Sequence, residues 1–108
     1  MSLRSKILEV DDLKREPFPC PEWPEADGQL FVRGLTAEES VKLNEHTDDL
    51  MPWVASCVVL DEDGERVFED GDVADLATKS PAVLNRITSA TYRLSKLTDD
   101  TQGELEKN

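Results

Sequence analysis

The chain has 108 residues and a formal net charge of −12, length enough for one modest hydrophobic core and no second one. That charge argues against a nucleic-acid binder, which needs a basic face for phosphates, and against docking on anionic lipid. Cys20 and Cys57 lack CxxC spacing, no apolar leader is visible and no apolar run approaches the roughly 18 residues of a membrane span, so the chain reads as reduced and cytosolic.

In chain order, Met1–Leu13 carries Leu3, Ile7, Leu8 and Leu13 behind a capping Ser2, and is expected as a short helix or a loosely docked arm. Pro17, Pro19, Pro21 and Pro24 then alternate with Phe18, Cys20 and Trp23. Each proline removes a backbone donor, which excludes a helix or a central strand and leaves an extended edge segment. Residues 1–28 thus form an extended, Pro-rich arm. Asp27-Gly28 is a turn and Gln29–Arg33 a short strand, with Trp23 and Phe31 expected to face each other across it. Thr36-Ala37-Glu38-Glu39 has the form of a capping box and opens a helix running to about Thr47, supported by the Glu38/Lys42 pair one turn apart.

Leu50-Met51-Pro52-Trp53 is compatible with a helix end, a loop or the lead-in to a strand. The apolar run Val54–Val59, the turn Asp61-Glu62-Asp63-Gly64 and the segment Arg66-Val67-Phe68 predict a β-hairpin over 54–68. Asp70 or Gly71 is expected to cap a short helix to about Lys79 that buries Val73, Leu76 and Ala77. Ser80-Pro81 starts the longest helix, 81–97, whose stripe is Val83, Leu84, Ile87, Ala90, Leu94 and Leu97. The expected fold is α+β: one domain over 1–97 with a small antiparallel sheet, packed by three to four helices. A disordered acidic tail is expected over 98–108.

Charge is unevenly placed. Residues 61–75 hold eight carboxylates and one arginine, whereas 76–97 hold Lys79, Arg86, Arg93, Lys96 and no acid. Counting Asp61 as the first position of a calcium loop puts Asp63, Glu65 and Asp72 at ligand positions. Arg66 stands where the sharp turn needs glycine, however, and the bidentate glutamate is missing, so a solvated turn is expected. His46 has no metal-spacing partners, and no nucleophile elbow, phosphate loop or dinucleotide motif occurs. The residues argue against an enzyme, a cofactor or a metal. Lys79, Arg86 and Arg93 share a helix face expected to offset the acidic hairpin beside it, with partner contact as the alternative. Candidate contact residues are the apolar side chains outside the main stripe, Phe18, Trp23, Leu50, Met51 and Trp53, together with Arg86 and Arg93.

An ordered set of segments resembles the tail assembly chaperones of long-tailed bacteriophages and prophages. The set comprises Ser2–Leu8, Asp11-Asp12-Leu13, Val32–Glu39, Leu60–Val73, Lys79–Ile87 and Leu94–Thr98. The resemblance implies a non-enzymatic protein of the host cytoplasm that keeps the tape measure protein soluble during tail assembly and is absent from the virion. It implies the tape measure protein as partner, with the tail tube protein and weak self-association as further contacts, and no nucleic acid or membrane. Leu94-Ser95-Lys96-Leu97 stands where the family pattern has Leu-Asn-Gly-Leu, which predicts a helix continuing past the family's turn. The alternative from another class is an acidic DNA mimic or other protein-binding inhibitor. A mimic needs a regular carboxylate array, whereas here the carboxylates cluster in turns, caps and the tail.

Overall fold

The computed structural model describes residues 2–96. Helix α1 (Leu3–Glu9) starts at Ser2, whose side chain accepts from the Ser5 amide at 3.1 Å, and none of its residues is buried. Three short strands follow: β1 (Arg15–Pro17), β2 (Phe31–Arg33) and β3 (Val59–Leu60). They form one antiparallel sheet in the order β1-β2-β3, with Arg15 opposite Arg33 and Phe31 opposite Leu60. The first proline of the rich segment thus lies at an edge, where a missing donor costs no ladder bond.

Beyond β1, the Phe18 amide donates to Leu30 O and the Cys20 amide to Asp27 Oδ1, closing residues 20–27 into a compact turn. That turn corrects one expectation. Trp23 does not face Phe31; it meets the Phe68 ring edge-on, with centroids 6.3 Å apart. The stretch from Pro19 to Gly28 is therefore folded back rather than extended.

Helix α2 (Ala37–Lys42) has the full capping box: Thr36 accepts from the Glu39 amide and Glu39 accepts from the Thr36 amide. It tightens into a 3₁₀ turn over Leu43–Glu45 and stops before Thr47. The predicted strand over 54–58 is instead helix α3 (Leu50–Val58). Pro52 lies in its first turn, where the missing N–H has no helical acceptor. Pro52 and every residue from Val54 to Val58 are buried, so the segment shows no exposed polar face and its sequence carries no period. A short apolar run of this kind does not distinguish helix from strand. The hairpin survives only at its tip: Leu60 bridges Arg66, and the Val67 amide donates to Val59 O across the turn. Gly64 takes φ +84 there, the conformation that the Asp-Gly signal requires.

Neither Asp70 nor Gly71 caps the next helix; Asp72 precedes it without a side-chain cap bond, and Glu69 stands at the start of the 3₁₀ turn before it. A 3₁₀ turn over Asp70–Asp72 leads into α4 (Val73–Leu76), and the Glu69 amide donates to Asp72 Oδ2 at 2.7 Å. Leu76 is its buried residue, and the helix ends before Thr78. Helix α5 (Pro81–Ser95) begins with Pro81 in its first turn, although the Ser80 side chain makes no cap bond. Its stripe of Val83, Leu84, Ile87 and Ala90 packs on α3 and β2, forming a core with Val32, Val54, Val58, Val59 and Leu76. Full burial of each large aliphatic side chain stabilises by about 1.5–3 kcal/mol.

The helix does not continue past the family's turn. Lys96 takes φ +60 and its amide donates back to Arg93 O and Tyr92 O, closing α5 where the family pattern has glycine. Leu97 and the predicted acidic tail, 98–108, lie outside the described residues. Among the described residues no helix is long and apolar enough to cross a membrane.

Candidate protein-contact surfaces

The contact residues predicted from sequence fall into three environments. Phe18 is buried, at 7% exposure, so it belongs to the core and offers no free face. Trp23, Leu50, Met51 and Trp53 are partly buried, packed against the core with one side uncovered. Arg86 and Arg93 are engaged within the chain. Arg86 donates to Glu22 at 2.7 Å and sits 5.5 Å over the Phe18 ring, and Arg93 donates to Glu16. The cationic face of α5 therefore offsets the Pro-rich segment, not the acidic hairpin. Glu22 is held below the usual carboxylate range by its own backbone amide and then by Arg86.

Leu50, Met51 and Trp53 share the first turn of α3. The Trp53 ring stacks on His46 with centroids 4.2 Å apart and planes 8° from parallel, while His46 Nδ1 lies 3.0 Å from Asp49 Oδ1. His46 thus works as a flat cover for an indole, held in orientation by a carboxylate. Beside this stack is a groove of about 440 Å³ between α2 and α3, lined by Glu38, Glu39, Lys42, Trp53, Cys57 and Arg66 among others. Burial pushes the Cys57 thiol above its ordinary range, which keeps it protonated and unreactive.

Under the groove an ionic network fixes the relative positions of β2, α2 and α3. The Arg33 guanidinium grips Glu39 with two bonds of 2.8 and 2.9 Å, and also donates to Gly34 O and Cys57 O. Burial alone would raise the Glu39 carboxyl, but the bonds from Arg33 and Thr36 together outweigh it and hold the group below its ordinary value. Its hydrogen bond to Glu39 holds Arg33 above its own ordinary value. The far end of α5 pins the same junction: Thr91 Oγ1 donates to Arg33 O, and Ser95 Oγ accepts from the Leu35 amide at 2.7 Å.

The acidic turn has its own internal bonding. Asp61 Oδ1 accepts from the amides of Asp63 and Glu65, an Asx arrangement that shapes the turn. Among the described residues no three His, Cys, Asp or Glu side chains are gathered as a metal-holding group.

Sequence reasoning passed over one surface. Leu3, Ile7 and Leu8 of α1, with Val10 at its cap, are between 61% and 73% exposed. The signal was the spacing of Leu3 and Ile7 behind a serine cap, which gives an apolar face without saying whether anything covers it.

No family model matches the chain, and neither does any curated protein sequence. Among solved structures, the tail assembly chaperone of bacteriophage HK97 is similar over 92% of this chain and 97% of that one, with a TM-score of 0.62 and 19% identity. At that identity the likeness is one of fold, and it runs through the whole domain rather than one motif.

Proposed function

We propose that this chain is a tail assembly chaperone, a non-enzymatic binder that holds a long tape measure protein soluble in the host cytoplasm while the tail tube forms, and that is absent from the finished virion. The observation that carries the reading is the near-complete overlap of fold with the HK97 chaperone, in the same chain whose ordered segments resemble that family. The physical chemistry agrees with it. Such a task needs no reacting groups, only a soluble acidic body and repeated weak contacts, and many weak contacts along one client gain strength through linkage.

The client contact in this reading falls on Trp53, Leu50 and Met51 beside the α2–α3 groove, with Trp23 as a second apolar point. Aromatic side chains half-sunk in a rigid surface give large contact area at low entropic cost. Co-expression with the tape measure protein tests the reading: the client is expected in the soluble fraction only when this chain is present, and to be retained with it on affinity capture. A client equally insoluble with and without the chain would end the proposal. Trp53→Ala is expected to reduce capture about tenfold, the loss of roughly 1.4 kcal/mol.

A further inference from the structure

The groove between α2 and α3 has a charge balance of its own. Four carboxylates line it, those of Glu38, Glu39, Glu45 and Asp70, against the cations Lys42 and Arg66. Most of these charges are already spent on one another. Arg33 takes Glu39 with two bonds, and Lys42 Nζ donates to Glu38 at 3.0 Å. Arg66 donates to Asp70 at 2.9 Å and, through its Nε, to Ser56 O. Glu45 is left over. It is exposed and forms no ion pair among the described residues, and Lys42, whose charge it shares, is bonded to Glu38. Asp49, at the start of α3, is turned to His46 Nδ1.

The apolar part of the same groove is the Trp53 indole, partly buried and stacked on His46. An indole and a spare carboxylate in one groove match a long cationic side chain. The methylene stem of a lysine or arginine lies on apolar surface while its head stays at the polar rim, and the indole itself attracts a cation. An acidic side chain would be repelled by Glu45. A purely apolar one would strip water from that carboxylate and give it no partner. The net charge of −12 works in the same direction at longer range, by drawing cationic segments toward the domain.

We propose that the α2–α3 groove receives a basic amphipathic segment of a protein partner, with the stem of a lysine or arginine on Trp53 and its charged head against Glu45. The inference rests on the chaperone reading for the identity of that partner. Within that reading, the client segments held are those in which a cation stands beside an apolar face.

Amide-shift titration of the full chain with two peptides tests it. Both are amphipathic and otherwise uncharged; one carries a single lysine beside its leucine face, the other glutamine at that position. The lysine peptide is expected to move the Trp53 indole signal and to bind about fivefold more tightly, the scale of one ion pair at a contact rim. Glu45→Gln is expected to erase this preference by weakening the lysine peptide alone, whereas Trp53→Ala weakens both peptides. Glu62→Gln makes the same change of net charge on the acidic turn and is expected to keep the preference, which separates the groove from the overall field. Glu45 and Glu62 are both exposed, so circular dichroism should be unchanged in either variant. The proposal is overturned by a lysine peptide that binds no better than the glutamine one or leaves the Trp53 indole unmoved. It is equally overturned by a Glu45→Gln chain that keeps the preference, or a Glu62→Gln chain that loses it as fully. A parent chain that solubilises its client yet shows no peptide preference would remove this inference and leave the chaperone reading standing. A clear preference in a chain that leaves the tape measure protein insoluble would do the reverse.

Discussion

Helices α1 and α5 begin alike and end in opposite environments. Each has a serine at its start and an apolar face at helical spacing, yet Val83, Leu84 and Ile87 of α5 are at most 2% exposed while Leu3, Ile7 and Leu8 of α1 are at least 61% exposed. The period of a helix specifies that a face exists. What covers it depends on partners that the period does not name. In α5 the cover is α3 and β2, brought there by the sheet; α1 stands beyond the anchor at Lys14, whose carbonyl accepts from the Gly34 amide.

The largest expected effect tests the α5 side of this contrast. Ile87→Ala removes a fully buried side chain from the centre of the core and should lower unfolding free energy by about 2–5 kcal/mol. Urea denaturation reads it as a shift of the midpoint with little change of slope. A loss no larger than that of an exposed alanine substitution would mean that α5 is not packed as described.

A second contrast separates the ion pairs. Arg33–Glu39 is 14% and 18% exposed, while Arg86–Glu22 is 43% and 44% exposed. Glu39→Gln leaves a half-buried guanidinium without its counter-charge and weakens the α2 cap, and should cost about 2 kcal/mol, below the figure for a fully buried pair. Glu22→Gln should change stability too little to measure, because water and salt screen that pair. The pH dependence follows from the same asymmetry. The Glu39 carboxyl is held below its ordinary value of 4.5, so the unfolded chain binds its proton first as pH falls. Its stabilisation is complete above the ordinary value and is lost as pH drops through the lower folded one. An acid-unfolding series is expected to show that limb in the parent and to lack it in Glu39→Gln.

These contrasts mark what the sequence made legible. The Thr36 capping box, the Asp-Gly turn at Gly64 and the start of α5 at Pro81 were readable because each depends on neighbours within a turn of chain. Helix α3 was not, since burial of every residue from Val54 to Val58 erases the alternation that separates helix from strand. The partners of Arg86 and Arg93 were also hidden: Glu16 and Glu22 lie more than sixty residues away in sequence, brought close only by the sheet edge. Among contact candidates, Trp53 could be picked out as an apolar residue outside the main stripe, but its stack on His46 depends on how α2 and α3 meet.

The end of α5 offers two smaller tests of how tightly that helix is held. A Cβ added at Gly34 would stand 3.0 Å from Ser95 Oγ and 3.4 Å from the Leu94 backbone. Gly34→Ala should therefore push α5 from the β2–α2 junction and cost about 1–3 kcal/mol by overpacking. Lys96→Gly acts in the other direction. Lysine at φ +60 carries the steric cost of the left-handed conformation, so glycine there should raise stability by about 1 kcal/mol. Both are read from thermal and urea midpoints, and a destabilised Lys96→Gly would show that the lysine side chain holds the end in place.

The smallest expected effect is the most informative about α1. Ile7→Asp should leave the stability read from urea unfolding within about 0.5 kcal/mol of the parent, as exposed substitutions do. A buried isoleucine replaced by aspartate would cost several times more, through both the cavity and the stranded charge. The size of this one number therefore says whether the arm is covered in the single chain. If stability is unchanged, the apolar face of α1 contributes nothing to the fold that carries it, and the core ends at the sheet and α5.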